Sequence, residues 1–259
     1  MKIFNIDDSL KDIPKIKEKF NLCLGFFDAV HLGHKKIFIS ASKNGYKIGA
    51  ITFNNKNVKN KYITTVAERL FFLKKLGINF VFVLPSSEKI INTSHFSFKE
   101  KFLDILRPTL LFVGEDFKFG KDRLGDIEYL KKFFFVNVVK FKKKNNNKIS
   151  SSEIRKMIKE GKIKEANDNL GHFFMIFGEI VKKKDGNFYI IVKNNKILPS
   201  SGFYNAVLNV NKKKVYFLVK IDKRKILIIK DSCNNSYFIS YILKNKKINF
   251  ELISEKNNR

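Results

Sequence analysis

Short, near-continuous apolar runs separated by helical patterns fill the first 140 residues, and they constrain the fold more than any other feature. Asn21–Asp28, Tyr46–Phe53, Asn79–Pro85, Thr109–Gly114 and Phe134–Phe141 read as strands. His34–Asn44, Val66–Leu76, Phe98–Leu106 and Ile127–Phe133 read as the helices between them, with Gly45, Gly77 and Pro108 as stops. A strand that is apolar along its whole length is buried on both faces, as in a parallel sheet covered by helices. Right-handed crossovers then predict a doubly wound, Rossmann-like α/β domain.

The pattern changes further along. Lys142–Lys148, all Lys and Asn, reads as a loop, and Ser150–Leu170 as helical with a break at Gly161. After Gly171 come strands and turns: Phe174–Lys182, Phe188–Val192, Gly202–Asn209, Lys214–Ile221, Lys225–Ile229, Tyr237–Leu243 and Ile248–Ile253. Turn signals at Lys184–Asn187 and Asp231–Asn234 divide some of them. A small antiparallel β-barrel fits this spacing. The expected domains are residues 1–171 and 172–259. With 28 Phe and no Trp, Phe must be the main large core filler.

The formal net charge is +28. A basic chain attracts polyanions, but nucleic-acid recognition asks for a clustered patch. Here lysines are spread along a sequence rich in Lys, Ile, Asn and Phe, so no specific nucleic acid is expected. The field would still draw in nucleotides and phosphates. Cys23 and Cys233 lie far apart in the chain without a CxxC, as buried thiols of a reducing compartment do. Residues 1–20 lack a signal-peptide core, and no apolar run has membrane-spanning length. The expectation is a soluble cytoplasmic protein, monomeric or weakly self-associating, with no membrane partner.

Three segments carry chemistry. In the first, Gly25-Phe-Phe-Asp-Ala-Val-His-Leu-Gly-His34 joins the first predicted strand to a helix. Carboxyl ends of strands in open α/β sheets bind ligands, and a helix N-terminus seats phosphate. Gly33 lets backbone approach a ligand, and His31 and His34 are spaced to face the same phosphoryl group. No third ligand or HExxH accompanies the two histidines, so a zinc site is not expected.

The second segment, Val113-Gly-Glu-Asp-Phe-Lys-Phe-Gly-Lys-Asp-Arg-Leu-Gly-Asp126, follows the fourth predicted strand. Phe117 and Phe119 offer flat faces to an aromatic ligand, and Arg123 offers a phosphate partner. Asp116 and Asp126 can accept hydrogen bonds from a ligand or cap the next helix. The third, Ile149-Ser-Ser-Ser-Glu-Ile-Arg155, contains a capping box, with Ser150 at the cap and Glu153 three residues on. The capping box does not account for Ser151, Ser152 and Arg155.

Together these segments resemble the bacterial FAD synthetases, the bifunctional riboflavin kinase/FMN adenylyltransferases of the HxGH nucleotidyltransferase superfamily. The first resembles G-x-F-D-G-x-H-x-G-H, the second G-E-D-F-x-F-G-x-x-R-x-G-D, and the third I-S-S-T/S-x-I-R. Gly161–Gly171 and Phe177–Val181 continue the likeness, which runs through about residues 20–181. It implies an FMN adenylyltransferase that makes FAD and pyrophosphate from FMN and ATP, with Mg²⁺ accompanying ATP. His31, His34 and Arg155 would be catalytic. Gly25, Phe26, Phe27, Asp28, Gly33, Ser151 and Ser152 would bind ATP. Asp116, Phe117, Phe119, Gly120, Arg123 and Asp126 would lie on the flavin side.

Two departures stand out. Ala29 occupies a position where the family usually has Gly. If that position needs a positive φ, Ala is strained there; if it needs only a small residue, Ala suffices. The kinase half resembles L-P-x-x-G-V-Y at Leu198–Tyr204, yet the chain contains no Pro-Thr-Ala-Asn and no Glu–His pair near Asp231–Ser240. The resemblance therefore implies a riboflavin-kinase-like barrel without kinase activity. Alternatives are full bifunctionality, another phosphorylated acceptor, and a non-catalytic flavin- or nucleic-acid-binding protein.

Overall fold

The computed structural model describes residues 1–54, 61–140, 143–144, 147–210, 213–229, 238, 241–242, 244 and 245–256. Spatial contacts divide the chain into two units. One is Met1–Asn60 with Arg69–Ile149, and the other is Lys61–Glu68 with Ser150–Arg259. This grouping places residues 150–171 with the second unit, whereas the change in sequence periodicity falls at Gly171.

The first unit is a six-stranded, all-parallel sheet among the described residues. Its strands are β1 (Lys2–Asn5), β2 (Phe20–Cys23), β3 (Lys47–Phe53), β4 (Phe80–Leu84), β5 (Leu110–Gly114) and β6 (Val136–Val139). The spatial order is β1-β4-β3-β2-β5-β6. Every residue of β2 and of β4 is buried, which accounts for the unbroken apolar run of β4 and for β2 being apolar except at Asn21. The helices are α1 (Leu32–Ala41), α2 (Val66–Lys75), α3 (Glu88–Ile91), α4 (His95–Phe98), α5 (Asp104–Leu106) and α6 (Ile127–Lys131). A π-turn segment, Lys99–Leu103, joins α4 to α5, so Phe98–Leu106 is helical as expected. Phe dominates the core: Phe20, Phe82 and Phe102 are fully buried, and Phe4 stacks on Phe82 at 5.4 Å. Buried Asn21 donates to the Ala41 carbonyl (2.7 Å) and to Asn44 Oδ1 (2.7 Å), fixing the end of α1.

The structure departs from the sequence pattern at three places. β1 was not read from sequence; it is four residues long and mostly exposed, with a weak apolar signal. The run read as a strand over Asn21–Asp28 leaves the sheet after Cys23, because the residues that follow turn through left-handed conformations. Lys143–Lys144 and Asn147–Lys148, within the segment read as a loop, pair as two short antiparallel strands, β7 and β8.

In the second unit, α7 (Ser151–Lys159) and α8 (Ile163–Leu170) flank the expected break at Gly161. They precede β9 (Phe174–Lys182), β10 (Phe188–Ile191), β11 (Gly202–Val210), β12 (Lys213–Asp222), β13 (Lys225–Ile229) and β14 (Lys247–Glu255). These six close into an antiparallel barrel, β10-β13-β12-β11-β14-β9. Alternating burial in β11, β12 and β14 sends Tyr204, Phe217 and Phe250 inward. Asn167 ties α8 to the barrel: Nδ2 donates to the Leu252 and Ile253 carbonyls, and Oδ1 accepts from Phe174 N. The turn at Asp231–Asn234, Cys233, and most of Tyr237–Leu243 lie outside the described residues. Within that last run, Phe238, Tyr241 and Ile242 are helical rather than extended.

A buried ion pair organises residues 61–68 against the barrel. Lys196 is fully buried, and its Nζ donates to Glu68 Oε2 (2.8 Å), Ile63 O (2.6 Å) and Met175 O (2.7 Å). All three ammonium donors are thus used. Glu68 in turn accepts from Thr65 N (2.7 Å) and Phe177 N (2.9 Å), so its charge is paired and hydrogen-bonded, as burial requires.

Candidate active site

The strand order reverses between β2 and β5, and ligands of open α/β sheets bind at such a switch point. Leu24 N still donates to the Phe112 carbonyl of β5 (3.0 Å), and then the chain rises off the sheet. Phe27 (φ 53°), Ala29 (φ 76°) and Val30 (φ 47°) all have positive φ, and none is Gly. Left-handed backbone is costly for any L-residue and most unusual for a β-branched one. The Ala29 position therefore does need the conformation that Gly adopts freely.

Packing holds the turn in this path. Phe27 is fully buried, 4.7 Å from the Phe38 ring and edge-on to His34 at 5.2 Å. The fully buried guanidinium of Arg69 lies beneath it. Arg69 Nη1 donates to Thr52 Oγ1 (2.7 Å) and to the Phe53 carbonyl (2.9 Å). Its Nη2 is 3.7 Å from Asp28 Oδ1, and its Cζ lies over the Phe26 ring, 4.7 Å from the centroid.

The turn delivers His31 to the N-cap of α1. His31 Nδ1 accepts from Gly33 N (3.1 Å) and His34 N (3.4 Å). A neutral imidazole that accepts at Nδ1 carries its proton on Nε2, so the hydrogen-bond network assigns Nε2–H as a donor. His34 stacks on His31, with ring centroids 3.7 Å apart and planes inclined by 19°. Burial, reinforced by the neighbouring His31 and by Arg69, holds the His34 pKa well below the ordinary 6.5. His34 is therefore neutral at physiological pH, and its buried Nδ1 has no hydrogen-bond partner among the described residues. A Cβ on Gly33 would lie 3.0 Å from His31 Cε1, so this glycine makes room for the imidazole itself.

Beside the turn is a mostly apolar cleft of about 240 Å³. One wall is Gly25, Phe26 and Phe53, with the two rings stacked at 5.5 Å and 20°. A second part of the lining is Phe117, Lys118, Phe119 and Gly120, with Phe117 and Phe119 stacked at 5.7 Å and 16°. Ile90, Ile91, Thr93 and Phe98 also line it. The second part is built by a short bridge in which Phe119 and Gly125 exchange backbone hydrogen bonds, both 2.9 Å. Gly120 (φ 74°) is required there, since a Cβ would come within 2.6 Å of His95 N.

The fold thus brings Gly25 and Phe26 of the first segment to the same cleft as Phe117, Phe119 and Gly120 of the second. Asp116 and Arg123 are exposed and do not line it. Asp126 caps α6 by accepting from Tyr129 N (2.8 Å). The third segment lies in the second unit, where Ser150 caps α7 through Glu153 N (3.3 Å). Ser151 and Arg155 are half-buried, and Ser152 is exposed.

The family model described as FAD synthetase matches residues 13–153. The chain belongs to the FAD synthetase family. Among its relatives is the bifunctional riboflavin kinase/FMN adenylyltransferase of Listeria monocytogenes, 28% identical over 79% of this chain and 71% of that protein. The protein of the same name from Buchnera aphidicola (Schizaphis graminum) is 30% identical over 66% of this chain and 61% of that protein. The chain therefore spans about two thirds of the length of these relatives. The crystal structure of a Streptococcus pneumoniae protein named macrolide-efflux protein superposes with a TM-score of 0.82. It covers all of this chain and 92% of that one at 22% identity, a likeness of fold.

In this FAD synthetase family member, sequence reading missed Phe53, Ile90, Ile91, Thr93 and Phe98 in the cleft, and Arg69 beneath the turn. Phe53 had one usable signal, its place at the carboxyl end of a strand next to β2. No helix among the described residues is long and apolar enough to cross a membrane.

Proposed function

We propose that the protein transfers the adenylyl group of ATP to FMN, giving FAD and pyrophosphate. The observation that carries this reading is the slot lined by two stacked phenylalanine pairs, beside a turn that presents two neutral histidines at a helix N-terminus. A planar isoalloxazine suits the slot, because offset aromatic stacking favours such a ring. A phosphate oxygen of FMN attacks the α-phosphorus of ATP in line. The new P–O bond forms as the bond to the β-phosphate oxygen breaks, and pyrophosphate leaves with that electron pair.

Charge builds on the α-phosphoryl oxygens during this exchange. Donors already in place stabilise it without reorganisation. His31 Nε2–H is one such donor, and His34, neutral and stacked on it, supplies a second. The amides at the start of α1 favour the same negative charge. Gly25, Phe26, Phe27, Asp28 and Gly33 form the ATP side of the turn. Ser151, Ser152 and Arg155 are proposed to contact the ATP phosphates, Arg155 balancing the leaving pyrophosphate. Asp116, Arg123 and Asp126 remain proposed flavin-side residues.

Among the described residues, no group of three or more His, Cys, Asp or Glu could hold a metal ion. Mg²⁺ is proposed to arrive on the ATP phosphates, since it binds readily through phosphate oxygens and retained waters. When bound it would screen the triphosphate charge.

The barrel is proposed to lack riboflavin kinase activity, because the chain contains no Pro-Thr-Ala-Asn. Purified protein supplied separately with FMN and with riboflavin, each with MgATP, tests both statements by product chromatography. FAD from FMN and no FMN from riboflavin is the expected result. FMN appearing from riboflavin would restore the bifunctional reading, and no FAD from FMN would end the adenylyltransferase reading.

A further inference from the structure

Four consecutive residues, Phe27 to Val30, include three with positive φ, and a backbone of that kind persists only where its surroundings over-determine it. The residue best placed to do so is Arg69, which no sequence motif singled out. It comes from α2 and is fully buried. It reaches the turn on both sides of Phe27. On one side it lies 4.7 Å from the Phe26 ring and donates to Thr52 Oγ1, which itself donates to the Phe26 carbonyl (3.0 Å). On the other side it faces Asp28 Oδ1 at 3.7 Å. It also holds the Phe53 carbonyl, and the Phe53 ring is the stacking partner of Phe26 in the cleft wall.

We propose that Arg69 is the positioning residue of this site. Its guanidinium clamps the left-handed turn to the end of β3, which sets the placement of His31 and His34 and the wall formed by Phe26 and Phe53. The inference rests on the adenylyltransferase reading for its effect on rate. The clamp itself does not depend on that reading. Lysine cannot replace it. An ammonium is a point donor without a planar face, so it cannot stack under Phe26 while forking to Thr52 and Phe53 and facing Asp28.

The test uses Arg69→Lys, which keeps the charge, and Thr52→Val, which removes the relay to Phe26 while leaving both buried charges in place. FAD formation from FMN and MgATP is followed at saturating and limiting substrate, alongside thermal unfolding. In parallel, long-range ¹H–¹⁵N spectra of the histidine side chains are recorded on the free proteins across pH. Misplacing reacting groups by an ångström can cost about 10²-fold in rate. The expected result for Arg69→Lys is a fall in kcat of about that size with the protein still folded, and a smaller fall for Thr52→Val. The His31 signal is expected to lose its Nε2–H tautomer, and the His34 signal its resistance to protonation. If folded Arg69→Lys keeps wild-type kcat and an unchanged histidine spectrum, the proposal is overturned. If Arg69→Lys does not fold, Thr52→Val decides by the same two readouts. If the wild type makes no FAD, the adenylyltransferase reading fails on its own, and the histidine spectra still decide the clamp. Altered spectra support it and unaltered ones refute it.

Discussion

Replacing Ala29 by Gly isolates the strain in the nucleotide turn. Ala29 is fully buried with φ 76°. An L-residue in the left-handed region costs about 1–2 kcal/mol, which Gly avoids. Two terms oppose that gain. Glycine loses roughly 0.5–1 kcal/mol more backbone entropy on folding than alanine. Removing one buried methyl costs about 0.8 kcal/mol. The sum lies close to zero, within about 1 kcal/mol either way. Ala166→Gly is the control: Ala166 is also fully buried but sits inside α8. There the opposing terms act alone, at about 1.6–1.8 kcal/mol from helix propensity and the lost methyl. Urea unfolding of the three proteins should therefore place Ala29→Gly about 1–2 kcal/mol above Ala166→Gly in stability, the size of the strain term. Equal costs at the two positions would show that the turn is not strained at Ala29.

Three further outcomes follow from the geometry. Lys196→Met leaves Glu68 buried without its cation, and breaking such a pair costs about 3–5 kcal/mol by denaturant unfolding; Lys196→Met with Glu68→Gln should recover most of it. The depressed pKa of His34 means that the unfolded chain binds a proton there which the native state resists, so stability falls as pH drops below the unfolded value of 6.5. Unfolding at pH 7.5 and 5.5 should show a smaller loss for His34→Gln than for the wild type, the difference not exceeding about 1.4 kcal/mol per pH unit. Phe119→Ala removes one stacking face of the cleft and should raise KM for FMN about tenfold, from about 1.4 kcal/mol of aromatic contact. KM for ATP should not change.

The β-strands of the sheet and barrel were legible because burial on two faces, or alternation on one, writes itself into local sequence. Phe174–Lys182 and Lys225–Ile229 have the bounds read from sequence. β1 was not, since only Ile3 and Phe4 of its four residues are apolar and both remain partly exposed. The placement of His31 and His34 at a helix start, and of Phe117 and Phe119 in a loop after a strand, was legible from spacing next to a strand end. Arg69 was not, because Glu68-Arg69 looks like any charged pair on an amphipathic helix. What distinguishes Arg69 is its contact with residues 16 to 43 positions earlier in the chain. Lys196 is similar: Lys193-Asn-Asn-Lys196 reads as a solvated turn, and only the fold buries the second lysine. The sequence did flag Ala29, because a glycine position filled by another residue is a local question that one dihedral angle answers.

The central claim, adenylyl transfer onto FMN at the His31–His34 turn, is tested most directly by following the label of α-³²P-ATP in the purified protein with FMN and Mg²⁺. The label should appear in FAD, with unlabelled pyrophosphate released in equal amount. His31→Gln and His34→Gln should each slow the transfer by about 10²–10³-fold, as loss of one donor to a transition-state oxyanion does. Label that stays in ATP or enters a product other than FAD, or transfer that proceeds at wild-type rate without both histidines, would contradict the account.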